Sequence, residues 1–264
     1  MRKRLLTLIL ISISLLSFGQ KKMMQKAEKA FEYYENGEKL KAVEIFKELV
    51  KDYPNSEQYG RNLYNIPTIY QELDSTDLAI NWFLKVLVDK KLDDSKEDHS
   101  RGIFETNTNF KHYSALNIGV INYNNGNYKE ALKYYKLADK TYPYYNTSGT
   151  DIKLNKIQLA SNISDCYIKL ERVDSAIVVL LPHALTESPR ANNYSTEKIF
   201  QILKENDKKN DFKKELEKGL ADIKQIKGGI MIKIYEIEIR VYPYFDEELT
   251  VDYFKQTDLY KGLN

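Results

Sequence analysis

Cysteine, glycine and proline are all scarce in this chain of 264 residues. One cysteine excludes an intramolecular disulfide framework, and with only three histidines beside it a Cys/His structural metal site lacks ligands. Glycine at 11 and proline at 6 argue against turn-rich sandwiches and barrels. No bulk charge of one sign exists either: 40 basic and 38 acidic residues nearly cancel, so nothing general attracts nucleic acid or an anionic membrane. Tyrosine, by contrast, is abundant, with 21 copies, and 42% hydrophobic residues allow a real core.

Catalytic signatures are missing as well. The chain has no glycine-rich phosphate loop, no G-x-S-x-G elbow and no H-E-x-x-H helix. His99, His112 and His183 are scattered without partner spacing and read as surface or capping residues. Cys166 lies beside Tyr167 in an amphipathic pattern and reads as a small core hydrophobe. The acidic pairs Asp93-Asp94 and Glu247-Glu248 sit in loop contexts without an acid/base signature. The reading is therefore non-enzymatic, with no cofactor, no metal and no nucleic-acid partner.

Residues 1–19 are expected to be a signal peptide. Arg2, Lys3 and Arg4 precede an uncharged apolar run over 5–18, and Ser17 and Gly19 suit a cleavage site that leaves Gln20 first. Such a run rises only about 21 Å as a helix, short of the ~30 Å hydrocarbon core. A retained anchor or a buried first helix is the alternative. No cysteine lies next to the apolar run, so no lipid anchor is expected. Cleavage removes the three basic residues, and the product is expected to be near-neutral and periplasmic or secreted.

An internal repeat organises most of the remaining chain. Ala42/Phe46, Ala79/Phe83, Ala131/Tyr135 and Ala176/Leu180 each place a small residue four positions before a large one. Every pair opens the second of two amphipathic segments. The clearest unit is YSALNIGVINYNNGNYKEALKYYKLADKTYP, residues 113–143. There Gly119 permits close helix approach, Gly126 makes the turn, and Pro143 comes after a face of Ala131, Tyr135 and Ala138. The unit at 23–56 repeats the design with Ala30, Tyr33, Gly37, Ala42, Phe46 and Pro54.

This pattern resembles the tetratricopeptide repeat family. Units are expected at about 23–56, 60–91, 112–143 and 157–189, within an array over 23–193. The second departs at Pro67, which should kink its first helix, at Asp74 in place of the turn glycine, and at Lys91. The fourth departs at Glu171 and at a late Pro189. The resemblance implies an all-α, right-handed superhelical solenoid of helix pairs that binds a protein or peptide segment.

The signature alanines are 37, 52 and 45 residues apart, against a 34-residue family period. The excess falls at about 92–110 and 144–152, and both inserts are expected to leave the stack as loops. LDDSKEDHS reads as a solvated charge run, whereas Phe104, Phe110, Tyr144 and Tyr145 either fill the gaps or line a surface. Residues 194–227 read as a degenerate capping pair, with Ile199, Ile202 and Leu203 on one stripe and Phe212, Leu216, Leu220 and Ile223 on the other.

The tail, 228–264, reads as β-rich or irregular. Ile232 and Ile234 alternate in one phase and Ile237, Ile239 and Val241 in the other, which suggests one strand with a bulge at Tyr235–Glu236; a helix fits the same residues. Leu249, Val251 and Tyr253 offer a hairpin mate across Pro243–Glu248, with pairing to a partner strand or a second copy as the alternative. That last option would make a tail-mediated dimer.

Carried over from the family, the concave wall takes the first helices of successive units. It comprises Phe31, Tyr34, Arg61, Tyr64, Thr68 and Gln71, then Tyr113, Leu116, Tyr123 and Asn124, and last Gln158, Ser161 and Asp165. This set is aromatic, amide-rich and near-neutral, and tyrosine and arginine often anchor binding energy. The competing reading is a small-ligand or catalytic protein whose inserts gather Asn107, Asn109, His112, Tyr145 and Asn146.

Overall fold

The computed structural model describes residues 2–93, 107–185, 194–243 and 248–264, with the side chains of residues 2–18, 107 and 108 outside the description. Two compact units divide the described residues, the first reaching Ile121 and the second starting at Asn122.

In the first unit, α1 (Arg2–Glu35) pairs with α2 (Lys39–Asp52), α2 with α3 (Tyr59–Glu72), and α3 with α4 (Thr76–Val88). Each helix touches its sequence neighbour, as expected of stacked helical hairpins. A short 3₁₀ turn, Lys90–Leu92, comes next, and the first unit also takes most of α5 (Asn107–Asn124). Ala42 and Ala79 are fully buried, as are Phe46 and Phe83 one turn further on. The small residue admits the neighbouring helix, and the ring fills the space beside it. Helix α3 runs through Pro67, which is buried and does not end the helix despite its missing N–H.

In the second unit, α6 (Tyr128–Lys140) packs on α7 (Gly149–Lys169), α7 on α8 (Val173–Ala184), α8 on α9 (Tyr194–Glu205), and α9 on α10 (Lys209–Ala221). Ala131 and Ala176 are fully buried, completing the set of four signature alanines. Buried inside α7, Ser164 satisfies its hydroxyl by donating to the Ala176 carbonyl at 2.9 Å, tying the two helices of that pair.

Turn geometry is kept where turn chemistry is not. Gly37 and Gly126 adopt φ of 80° and 77°, the left-handed region that glycine enters without a Cβ penalty. Asp74, Glu171 and Asp207 hold φ of 54°, 58° and 50° between the helices of the other pairs. The departures at Asp74 and Glu171 thus keep the same turn and carry its strain.

Several expectations are corrected. Residues 107–110 of the first insert are the opening turn of α5, and residues 149–152 of the second lengthen α7. Phe110 packs with Leu92 over Gly60, with its ring 5.5 Å from Tyr64, so it fills the gap. The first insert's flanks are pinned by an ion pair between the buried Lys111 and Asp93. His112 is buried, its ring 5.4 Å from Tyr113, and is no surface group. Phe104, His99 and most of LDDSKEDHS lie outside the described residues, as does Pro189.

The tail is a three-stranded antiparallel sheet, ordered β1 (Lys224–Ile226), β2 (Gly229–Ile234), β3 (Ile237–Val241). Ile223 is therefore not helical: α10 stops at Ala221 and the chain turns into β1. The two isoleucine phases belong to two strands, because Tyr235 and Glu236 (φ 48° and 62°) form a two-residue hairpin turn rather than a bulge. Both left-handed residues match the strand twist, and Glu215 of α10 accepts from the Tyr235 N–H at 3.1 Å. Leu249, Val251 and Tyr253 form no hairpin mate; the last two lie in α11 (Val251–Gln256), with α12 (Asp258–Leu263) after it. Thr250 and Thr257 cap these two helices by accepting from Tyr253 and Tyr260 N–H groups.

The sheet covers the repeat helices. Strand β2 lies on α10 and β3 on α8, burying Ile230, Ile232, Ile234, Ile239 and Val241. Gly219 makes this possible: a Cβ there would sit 2.6 Å from the Lys233 carbonyl oxygen. α10 therefore keeps its outer stripe dry under the sheet, where a capping helix was expected to meet water.

Candidate functional site

The first-helix residues predicted for the concave wall fall into two groups, one in each unit. In the first unit, Phe31 projects from α1 with 43% exposure, and its edge meets the buried Phe46 ring at 5.4 Å. One turn along, the Tyr34 hydroxyl donates to both Glu72 carboxylate oxygens, at 2.8 and 3.0 Å. Lys39 closes the group, 2.9 Å from Glu72. That hydrogen bond to a carboxylate, with burial second, holds the Tyr34 phenol above its ordinary range. The trio crosses from α1 to α3 and fixes the phenol in one place.

Tyr64 is half-buried. Its ring lies 5.8 Å from Phe83 and 5.5 Å from Phe110, and its hydroxyl accepts from the Asn117 side chain at 2.9 Å. Burial pushes this phenol up to about 12. Thr68 spends its hydroxyl on the Tyr64 carbonyl of its own helix, at 3.0 Å. Gln71, Tyr113 and Leu116 are half-buried, which leaves Phe31 and Arg61 as the exposed members in this unit.

In the second unit, Tyr123 meets Tyr128 edge-on at 5.3 Å, while Asn124 and Gln158 are exposed. Gln158 donates along its helix to Asn162 at 3.1 Å. Ser161 is buried and forms the floor of a polar knot with α9. Lys198 reaches its hydroxyl at 2.6 Å, its carbonyl at 3.2 Å and the Asp165 carboxylate at 2.7 Å. The Tyr194 hydroxyl stands 3.2 Å from the same serine hydroxyl. The lysine side chain is only 14% exposed, so this pair is worth more than a solvent-bathed one.

Lys198, Glu72 and Lys39 were missed by sequence reasoning. Lys198 belongs to α9, read as a cap, and a lysine in STEKIF looks like any solvated helix residue. Only the packing of α9 on its neighbours reveals its role. The rival cluster is also altered at source, since Asn109 and His112 are buried in α5 of the first unit. In the second unit, Asn146 is occupied within its own loop: it donates to the Tyr144 hydroxyl at 2.9 Å and accepts from the Ser148 N–H at 2.8 Å.

Burial, and secondarily Asp165, pushes the Cys166 thiol up to about 12, so at neutral pH it is not a thiolate nucleophile. Among the described residues no cluster of three or more His, Cys, Asp or Glu side chains is arranged to hold a metal. No described helix is long and apolar enough to cross a membrane.

Two stretches, residues 30–56 and 113–145, match tetratricopeptide repeat models. The chain carries tetratricopeptide repeats. Both matches fall on the units that the spacing of Ala42 and Ala131 marked most clearly. Among solved structures, one described as kinesin light chain TPR-like repeats of Podosopora anserina is similar at 14% identity, with 72% of this chain and 89% of that one covered and a TM-score of 0.46. The pilF protein of Pseudomonas aeruginosa is similar at 12% identity, with 71% and 70% covered and a TM-score of 0.44. No curated protein sequence matches. The family assignment rests on the two repeat matches and the four buried alanines. Tetratricopeptide repeats generally mediate protein–protein interaction.

Proposed function

We propose that the protein is an exported, non-catalytic scaffold that binds a protein or peptide segment, in a periplasmic or secreted setting such as envelope assembly. The observation that carries the reading is the repeat itself: the signature alanines are wedged between helices, and first-helix side chains such as Phe31, Arg61, Asn124 and Gln158 remain exposed. Within each unit, a rigid face of this kind binds an extended segment at low entropic cost. Export is supported by the basic n-region and apolar run before Gln20.

Site-specific photo-crosslinking in intact cells tests the binding face. A crosslinker at Arg61 or Gln158 should capture a discrete polypeptide that the same group at Glu44 or Lys133, on second helices, does not. Equal capture from both kinds of position overturns the face. N-terminal sequencing of the cellular protein should begin at Gln20; a retained Met1 in the cytosolic fraction overturns export.

A further inference from the structure

The tail sheet has two edges, and they differ in chemistry. β1 is three residues long, contains Lys224, is succeeded by Lys227, and has no acidic residue of its own. Short length and one-signed charge are the usual protection of an edge against pairing. β3 is longer and carries charges of both signs on its outer face, Glu238 and Arg240, separated by the buried Ile239.

The backbone of β3 is set up in the same register. Because a two-residue turn joins the strands, Ile234 and Ile237 form the first pair to exchange backbone hydrogen bonds, and the pattern alternates through Ile232/Ile239 and Ile230/Val241. The N–H and C=O groups of Glu238 and Arg240 therefore point away from β2. Among the described residues none of them has a hydrogen-bond partner, and the main packing of β3 is on β2 and α8. Glu238 faces Lys233 across the hairpin, whereas Arg240 stands opposite the uncharged Met231.

We infer that β3 is a self-pairing edge: two copies of this chain join their β3 strands antiparallel about a two-fold axis through Ile239. In that register Glu238 of one copy lies opposite Arg240 of the other, and each pair exchanges both outward backbone hydrogen bonds. The symmetry repeats the contact, as a two-fold interface requires. Ile237, exposed in the single chain at 39%, comes beside Val241 of the second copy on the apolar face. Shifting the register by two residues in either direction loses the charge match, and a one-residue shift would turn the isoleucines outward. The occupant is thus a second copy, since the strand is complementary to itself. This inference stands apart from whatever the repeats bind.

Sedimentation of the full chain over a range of concentrations should show a monomer–dimer equilibrium. Arg240→Glu places like charges opposite one another twice and should raise the dimer Kd about tenfold or more. Glu238→Arg should do the same, and the double exchange Glu238→Arg/Arg240→Glu should restore it, with unchanged circular dichroism throughout. The opposed pair would have a Cα separation of about 5.5 Å, within disulfide range. Mixing Glu238→Cys with Arg240→Cys chains under mild oxidant should therefore give a cross-linked dimer that neither variant gives alone; the buried Cys166 does not compete. A chain that is monomeric at every concentration overturns the inference. So does a dimer indifferent to Arg240→Glu, or cross-linking that is equal in the unmixed variants.

Discussion

In the first unit Tyr64 of the repeat face turns onto aromatic neighbours and Tyr34 onto a carboxylate, whereas in the second unit part of the equivalent face is held by a lysine. Tyr64 lies between Phe83 and Phe110, and Tyr34 is tied to Glu72. In the second unit Ser161 and Asp165 converge on Lys198, which reaches over from α9. Helical period alone decides which residues share a face. The side chains on the next helix decide whether a given residue is spent on packing, on an ion pair, or on a partner. An aromatic at a wall position is therefore weaker evidence for binding than an exposed one such as Phe31.

The largest expected effect tests whether both units rest on the same kind of core. Phe83→Ala in the first and Phe212→Ala in the second each remove a fully buried ring, and each should cost about 3–5 kcal/mol in urea denaturation. A loss below about 1 kcal/mol in one of them would show that its unit is held differently.

A titratable group then separates the units. Burial, with Lys153 and Lys156 adding to it, pushes the His183 imidazole of the second unit down to about 4. The folded protein disfavours the proton that the unfolded chain takes up near 6.5, so this stability is full above pH 6.5 and is lost as pH falls towards 4. The second unit should lose about 1–3 kcal/mol over that interval. His183→Gln should flatten the dependence, and a urea midpoint series against pH checks it.

The two faces themselves differ next. Lys198→Met leaves the buried Ser161 hydroxyl and Asp165 without their cation and should cost about 2 kcal/mol. Tyr64→Phe removes the acceptor for Asn117 and should cost about 1 kcal/mol, leaving the ring contacts intact. Reversal of that order would mean the first unit depends on its polar contact more than on its rings.

The smallest effects concern the turns. Gly37→Ala places a Cβ at φ 80° and should cost about 1 kcal/mol. Glu171→Gly relieves a strained residue at φ 58° and should gain about 0.5 kcal/mol, measured as a rise in thermal midpoint. The pair shows whether the departures from the repeat pattern are tolerated at a cost or are neutral.

The repeat was legible because Ala42, Ala79, Ala131 and Ala176 recur with their large partners, and helical hairpins are made of short-range contacts. The weaker units were legible through the same alanines although Asp74 and Glu171 replace the glycine, since the left-handed turn is strained for those residues but not closed to them. The first insert was misplaced because NTNF, residues 107–110, carries no helical stripe of its own, yet Phe110 seats against Tyr64 and extends α5 backwards. The hairpin was read as one bulged strand because a tyrosine and a glutamate rather than Asn-Gly form its turn. The candidate wall was legible as a list of positions and illegible as a surface: nothing local distinguishes Tyr64, which is packed, from Phe31, which is not.

By itself the sequence determined the helical pairs, their turns and the place of each small residue, because those depend on period, Cβ sterics and the need to bury one stripe per helix. The tertiary structure alone decided that the tail folds back as a sheet over α8 and α10, that Lys198 bridges to α7, and which tyrosines stay outside. Those outcomes depend on contacts between residues far apart in the chain, and a residue's neighbours in space are not written in its neighbours in sequence.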